Sequence, residues 1–375
     1  MPFVKMHGRG NDFVMARSSD LDWIFDKNGN SSSDPRQMST LLSTLAKSVC
    51  DRRFGLGADG LIIRLDALAH KHCALTIDYP DLDFCEETWI YINSDGSYSA
   101  MCGNGLRCFA GFCIMDGQEA RSFKVATACG PVEVEARGVG DNEPDSSIYD
   151  VLIKLEAPAT CRQVSLDQFA QLSNQSLATI ARIFADGKAT GHLIDLGNPH
   201  YVLFLPGAVF ADYWMSVKDI VDERGNVLAG SKDFPACFPA DLHSLALDLA
   251  KDETIFPSGA NIEFAAVETG LSDCVRMLVV ERGCGPTLAC ASGACAVVVG
   301  GIKQGILNRS SRVILPGGLL DVSWSRDDGP VELRGWAQVV AQGVFCIYPG
   351  ADRSVVSGGS LSSFDSNHDF CEAIS

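Results

Sequence analysis

No two of the fifteen cysteines stand three positions apart, so the chain contains no Cys-x-x-Cys pair. That absence argues against a zinc ribbon and against a thioredoxin-type redox couple. No apolar run approaches the roughly 18 residues of a membrane-spanning helix. Positive charge is scarce: 47 acidic residues face 30 basic ones, a net charge of −17. Gripping a phosphate backbone or an anionic membrane needs clustered Lys and Arg, so no nucleic-acid or membrane partner is expected. The opening residues, Met1 to Gly8, hold neither a signal-peptide core nor an Arg- and Ser-rich transit segment. A cytoplasmic location follows as the expectation, with most thiols reduced and packed as small hydrophobes. What is present is ordinary for a globular protein: 46% apolar and 21% charged residues in a chain of 375. At about 150 residues per domain, that length suggests two to three domains.

Along the chain, Asp34-Pro35 reads as a cap and first helical position, and Leu41, Leu42, Leu45 and Val49 recur at helical spacing. Gly55-Leu56-Gly57-Ala58-Asp59-Gly60 matches the dinucleotide fingerprint. A helix precedes it and a strand follows, the reverse of the fingerprint's setting, so it reads as a turn feeding a strand. Residues 74–79, 86–93, 122–128, 131–136 and 148–155 read as extended. So do 193–205, 261–267, 274–281, 312–315 and 319–324, with a last strand near 338–348. Leu166 to Ala185 has helical spacing. Cys102–Met115 and Ser292–Ile302 lack a polar face and read as buried helices. The Ser-, Gly- and Asp-rich tail, 351–375, is expected to be disordered.

Two pairs of segments repeat. Gly10-Asn11-Asp12-Phe13-Val14 resembles Gly197-Asn198-Pro199-His200-Tyr201-Val202, and Met101-Cys102-Gly103-Asn104-Gly105 resembles Ala289-Cys290-Ala291-Ser292-Gly293. Asn11 and Cys102 are 91 positions apart, Asn198 and Cys290 92. Two similar halves, each giving one Asn and one Cys to a shared cleft, account for both matches. Each Cys precedes an apolar helix, where free N–H groups and the dipole lower a thiol's pKa and make an anion site. Two such helix ends could hold one carboxylate with a sulfur on either side of the adjoining carbon. One sulfur would remove the α-proton and the other return a proton to the opposite face, with no cofactor required. A second repeat is the spacing of Cys102, Cys108 and Cys113, which recurs in Cys284, Cys290 and Cys295. Neither triplet has metal-ligand spacing, and no metal is expected.

These residues resemble the diaminopimelate epimerase family, cofactor-independent enzymes of lysine and cell-wall biosynthesis. The matching stretches are Lys5-Met6-His7-Gly8, Gly10 to Phe13, Arg53 to Gly60, Asn93 to Ser97, Met101 to Gly105 with Arg107-Cys108, and Gly197 to His200. Asn261 to Phe264, Glu281 to Gly283, Thr287 to Cys290, Ser292 to Cys295 and Leu315 to Gly318 continue in family order. The resemblance implies an α+β fold of two pseudo-symmetric domains, each a mixed sheet wrapped around a central apolar helix, with the active site between them. It implies halves at 1–152 and 153–337, with 338–350 returning to the first. It implies that Cys102 and Cys290 are the catalytic pair and that Gly103, Asn104, Ala291 and Ser292 hold the reacting carboxylate. Asn11, Asn198 and Glu281 would surround the amino group and reaction centre, with His200 nearby. Asn93, Asn261 and Arg282 would read the distal amino acid end, a task suited to a guanidinium. Two departures touch the site: Pro286 where the family usually has Glu, and Ala291 where it usually has Gly. The chain also carries surplus near 17–35, 66–90 and 205–255. The expected partner is a small amino acid, with a homodimer left open. A racemase of another amino acid, such as histidine, and a non-catalytic thiol-based binding or redox-sensing relative are the alternatives.

Overall fold

In the computed structural model, residues 1–21, 23–25, 35–66, 69, 73–76, 78–140, 146–184, 189–215 and 234–346 are described. Asp34, the stretch 26–34 and the tail beyond 346 lie outside them. Seven strands of the first half are β1 Pro2–Gly8, β2 Asn11–Arg17, β3 Gly60–Arg64, β4 Glu87–Asn93, β5 Ser122–Thr127, β6 Gly130–Gly138 and β7 Ile148–Leu155. In β6 and β7 every second residue is buried, the mark of a strand with one face in a core. The last strand, β16 Val331–Val344, pairs with β7 through residues 331–338 and with β1 through 338–344. Its two-sided pairing closes eight strands into a barrel.

The second half repeats the pattern with β8 Thr160–Ser165, β9 Thr190–Asp195, β10 Pro199–Phe204, β11 Asn261–Val267, β12 Cys274–Glu281, a short β13 Gly285–Thr287 on β12, β14 Ser310–Leu315 and β15 Gly318–Ser323. The pairing senses agree as well as the order. β2–β3 and β4–β5 are parallel, as are β10–β11 and β12–β14, while the strands between pair antiparallel. The halves also exchange chain. After β7 the chain crosses within four residues and pairs with β9 as β8, just as β16 returns to β1.

The closed barrel of the first half encloses one helix, and the strands of the second half wrap around another. α2, Gly103–Met115, touches β1, β2, β3, β6, β7 and β16, and the later helix Ala291–Gln304 touches β9, β10, β11, β12, β14, β15 and β16. Leu106, Phe109, Ala110, Ala294, Val297 and Val298 are among their fully buried residues, so neither helix has a wet face. Both belong to one continuous apolar cluster. A second layer covers each half outside: α1, Pro35–Cys50, lies on β3 and β4. On the other half lie α3 Asn174–Ile183, α4 Gly207–Met215 and α5 Ala240–Ala250, with α4 on β11 and α5 on β11 and β12. The helix Ala291–Gln304 is therefore α6.

Several sequence expectations need correction. Residues 74–76 and 78–80 form turns, not a strand. Leu166–Gln168 is a single 3-10 turn, and a new helix starts where the Ser173 side chain accepts the Ser176 N–H. The extended run 193–205 is broken by a turn at Gly197, which takes a positive φ of 92°. The last strand begins at 331 rather than 338 and ends at 344. The supposed insertion 205–255 contains α4 and α5, and α5 precedes β11 as α1 precedes β3.

The central helices meet at their N-terminal ends. A Cβ on Gly103 would lie 2.6 Å from the Ala291 Cβ, so only glycine fits there. Gly103→Ala should push the two helix ends apart and cost about 1–3 kcal/mol, as overpacking does. Ala291→Gly added to it should return most of that loss. Urea unfolding of the single and double variants checks the coupling, and strictly additive effects would contradict the end-to-end contact.

Candidate active site

Both predicted cysteines occupy the N-cap of a central helix with extended backbone. The Gly105 N–H donates to Cys102 Sγ at 3.4 Å, and the Gly293 N–H donates to Cys290 Sγ at 3.3 Å. The same local chemistry thus recurs at both ends, with Cys102 the counterpart of Cys290. The repeated cysteine triplets are out of register with that equivalence, since Cys102 is the first of one and Cys290 the second of the other. Cys108, Cys113 and Cys295 are buried in the helices, and Cys284 is exposed.

Around Cys102, the sulfur donates to Asn11 Oδ1 at 3.9 Å, and Asn104 Nδ2 donates to the same oxygen at 3.2 Å. Asn104 Nδ2 also donates at 2.9 Å to the carbonyl of Ala289, the residue before Cys290. This side chain therefore ties the first helix end to the second. Around Cys290, Ser292 Oγ lies 3.6 Å from the sulfur, and Asn198 Nδ2 donates to Ser292 Oγ at 3.5 Å. Glu281 bonds to Cys290 and accepts from Thr287 Oγ1. His200 is fully buried, with Nε2 3.1 Å from Asn198 Oδ1.

The helix ends do not make these thiols acidic in the free protein, contrary to expectation. Burial pushes the Cys102 thiol up to about 11, the Gly105 N–H opposes this, and Glu281 adds to it. Burial, with Glu281 and Glu263 beside it, pushes Cys290 well above the ordinary thiol range. Burial likewise raises Glu281 above the usual carboxylate range, while Thr287 and Cys290 pull it back. The N–H groups act in the expected direction, and the desolvation of two sulfurs in a closed core outweighs them.

The predicted distal residues divide. The Arg282 N–H donates to Asn261 Oδ1 at 2.8 Å, and Arg282 Nη1 donates to the Ser258 carbonyl at 2.6 Å. Asn93 instead bonds to Ser97 Oγ within its own turn. A cavity of about 420 Å³ opens between the halves, with Cys102, Gly103, Asn198, Ser292 and Arg282 in its wall. That is a volume suited to a small molecule. Cys290 lies just behind this wall, 4% exposed.

Sequence reasoning missed Glu263 and Tyr91. Glu263 is fully buried, its Oε1 2.6 Å from His200 Nδ1 and its Oε2 without a hydrogen-bond partner among the described residues. A lone acid between Ile262 and Phe264 was the available signal. Glu263, His200 and Cys290 bring donor atoms within 4.8 Å of one another, a set of metal-ligand types. Both His200 nitrogens already have hydrogen-bond partners, Nδ1 in Glu263 and Nε2 in Asn198. Tyr91 is 7% exposed; burial first, then Cys102, Asp59, Cys284 and Glu281, raise its phenol well above the ordinary range.

Comparisons with known proteins agree with this geometry. The family model for diaminopimelate epimerase matches residues 3–150 and 239–340. The diaminopimelate epimerase of Elusimicrobium minutum is 31% identical over 92% of this chain and 99% of its own length. The chloroplastic diaminopimelate epimerase of Oryza sativa subsp. japonica is 30% identical over 91% of this chain and 79% of its own. Two solved structures share the fold at low identity. A PhzF-family phenazine biosynthesis protein from Bacillus anthracis superposes with a TM-score of 0.55 at 12% identity, over 92% of this chain and 99% of that one. A probable proline racemase from Agrobacterium radiobacter gives 0.54 at 13%, over 93% and 94%. With its family model matched across both halves and relatives similar along nearly their whole length, the chain belongs to the diaminopimelate epimerase family.

Proposed function

We propose that this protein is an isomerase that converts LL-2,6-diaminopimelate to the meso form by a two-thiol acid/base mechanism. The observation that carries the reading is the end-to-end meeting of two helices, each capped by a cysteine, at Gly103 and Ala291. N–H groups at Gly103, Asn104, Ala291 and Ser292 converge there, and a substrate carboxylate would accept from them. Holding that carboxylate stabilises the carbanion formed at the adjoining carbon. Cys102 and Cys290 then serve its two faces, one as thiolate base and the other as thiol acid, exchanging roles in the reverse direction. Glu281 is the proton partner of Cys290, and His200 orients Asn198 beside it. The chemistry needs no cofactor. Both thiols are protonated at neutral pH in the free protein, so the base forms as the cleft closes and the carboxylate takes its place.

Arg282 supports diaminopimelate over histidine, since a substrate without a distal carboxylate leaves its guanidinium unused. Asn261 orients the Arg282 backbone, and Asn93 is assigned to the same distal end. Residues 1–152 with the returning strand form one half and 153–337 the other; these boundaries fall inside β7 and β16. The fourteen free cysteines among the described residues support a reducing, cytoplasmic setting. No helix among the described residues is long and apolar enough to cross a membrane. A homodimer is part of the proposal, supported by the exposed Trp336, Val340 and Val344 on β16.

Reduced protein incubated with LL-diaminopimelate should yield the meso isomer, followed chromatographically, and should leave L-histidine unchanged. Turnover of histidine alone would replace the substrate assignment, and turnover of neither would end the proposal. Cys102→Ala and Cys290→Ala should each abolish epimerisation, because each face of the carbon has a single acid/base. Near wild-type turnover in either variant would rule out the two-thiol mechanism.

Arg282→Lys keeps the charge and loses the planar fork. Loss of a charge-assisted bond costs about 1.5–3 kcal/mol, or roughly 10- to 150-fold in kcat/KM. Steady-state kinetics on diaminopimelate checks this, and an unchanged value would remove Arg282 from the distal site. Oxidation without substrate should inactivate the enzyme by joining Cys102 to Cys290, reversed by a thiol reductant. Peptide mapping that finds another linkage in the inactive protein would contradict the placement of the sulfurs.

A further inference from the structure

The glycine-rich turn Gly55–Gly60 holds a carboxylate at the edge of the site. Asp59 Oδ2 accepts from Asn11 Nδ2 at 2.5 Å and from the Asp12 N–H at 3.1 Å. Its other oxygen accepts from Arg52 Nη2 at 2.7 Å. The Asp59 carbonyl accepts from the Ser94 N–H at 2.9 Å, which ties the Asn93 turn to the same point.

An ionised carboxylate can only accept, so Asp59 forces the Asn11 amide to turn its nitrogen away from the cleft and its oxygen toward Cys102. The far end of the chain of amides is fixed by the opposite logic. Arg107 can only donate, and its Nη2 donates to Asn104 Oδ1 at 2.7 Å. Asn104 must then present Nδ2 to Asn11 Oδ1 and to the Ala289 carbonyl. Arg107 is fully buried, and its Nε and Nη1 have no partner among the described residues. A buried, half-satisfied cation is costly, and general stability does not account for it.

We propose that Asp59 and Arg107 are positioning residues that pin the two ends of an Asp59–Asn11–Asn104–Arg107 relay and so set the hydrogen-bond polarity at Cys102. With the relay intact, Cys102 faces an acceptor, the Asn11 carbonyl, which favours its protonated form. The same oxygen is turned toward the substrate ammonium, a consequence that rests on the epimerase reading. The effect on the sulfur does not.

The test uses Asp59, which is partly exposed, so the fold should survive its replacement. In Asp59→Ala the Asn11 amide loses its anchor and can turn Nδ2 toward the sulfur, stabilising the thiolate. Alkylation of Cys102 by iodoacetamide, located by peptide mapping without substrate, should then speed up about tenfold near neutral pH, its pH midpoint moving down by about one unit. Asp59→Asn keeps one oxygen that can accept from both Asn11 Nδ2 and the Asp12 N–H, and should restore most of the wild-type profile. Arg52→Gln removes the outer bond to Asp59 and the Arg52 bonds to Asp12, leaves the Asn11–Asp59 bond in place, and should leave the profile unchanged. If the alkylation profile of Asp59→Ala matches wild type, or Arg52→Gln shifts it equally, the relay is wrong whatever the substrate. With diaminopimelate, Asp59→Ala should lose about 10- to 100-fold in kcat/KM, mostly regained in Asp59→Asn. If the alkylation shift appears but no epimerisation is found in wild type, the relay stands and the substrate reading fails.

Discussion

The structure depends on two helices meeting end to end. A helix N-terminus leaves N–H groups without partners, and a pair of them in a protein interior would be costly. Here each end is capped by a cysteine sulfur and opens on a cleft between the halves. The strands of the two halves serve, in this sense, to hold two apolar helices in line. The closeness of the ends depends on the missing side chain of Gly103, whose Cβ would lie 2.6 Å from the Ala291 methyl. That methyl leaves the Ala291 N–H in place and takes up room on the helix axis.

The same closeness sets the electrostatics. Excluding water from the sulfurs keeps both as thiols in the resting protein, despite the favourable backbone around them. Such a site holds its proton until a carboxylate arrives and the cleft closes, which suits a mechanism in which one sulfur must be an acid while the other is a base. Glu281, Glu263 and His200 crowd Cys290, whereas Cys102 bonds to the Asn11 amide and the Gly105 N–H, with no carboxylate hydrogen-bonded to it among the described residues. The halves are alike in backbone and unlike in the groups that tune each sulfur.

Much of this was legible in the sequence. The paired Asn and Cys segments located the cleft because each lies in a short run whose residue types are fixed by the turn and helix start. The two apolar helices were legible because, past the first turn, nothing on them is polar except the buried Arg107 of α2 and the last turn of α6. The return of the last strand came with the family resemblance; the pairing senses of the strands, the crossing of β8 and the place of α5 were not legible, since they arise from contacts between distant stretches. Leu242, Leu245, Ala246 and Leu249 do carry a helical period, and all four are buried, but the surrounding segment reads as an inserted loop. Pro330 and Gly335 hid the start of β16 in the same way. The thiol pKa was misjudged because a sequence displays a helix dipole and conceals the burial that overrides it. Asp59 and Glu263 gained their importance only when folding placed them against Asn11 and His200.

The central claim is that two different groups serve opposite faces of one carbon. Its most direct test is the first few per cent of reaction in deuterated water, with LL-diaminopimelate as substrate and the isotope content of both isomers read by mass spectrometry. Two sulfurs acting on opposite faces predict deuterium at the inverted α-carbon of the meso product while recovered LL substrate stays unlabelled. A single group working on both faces would return the original proton to the product or label substrate and product alike, and that result would contradict the account.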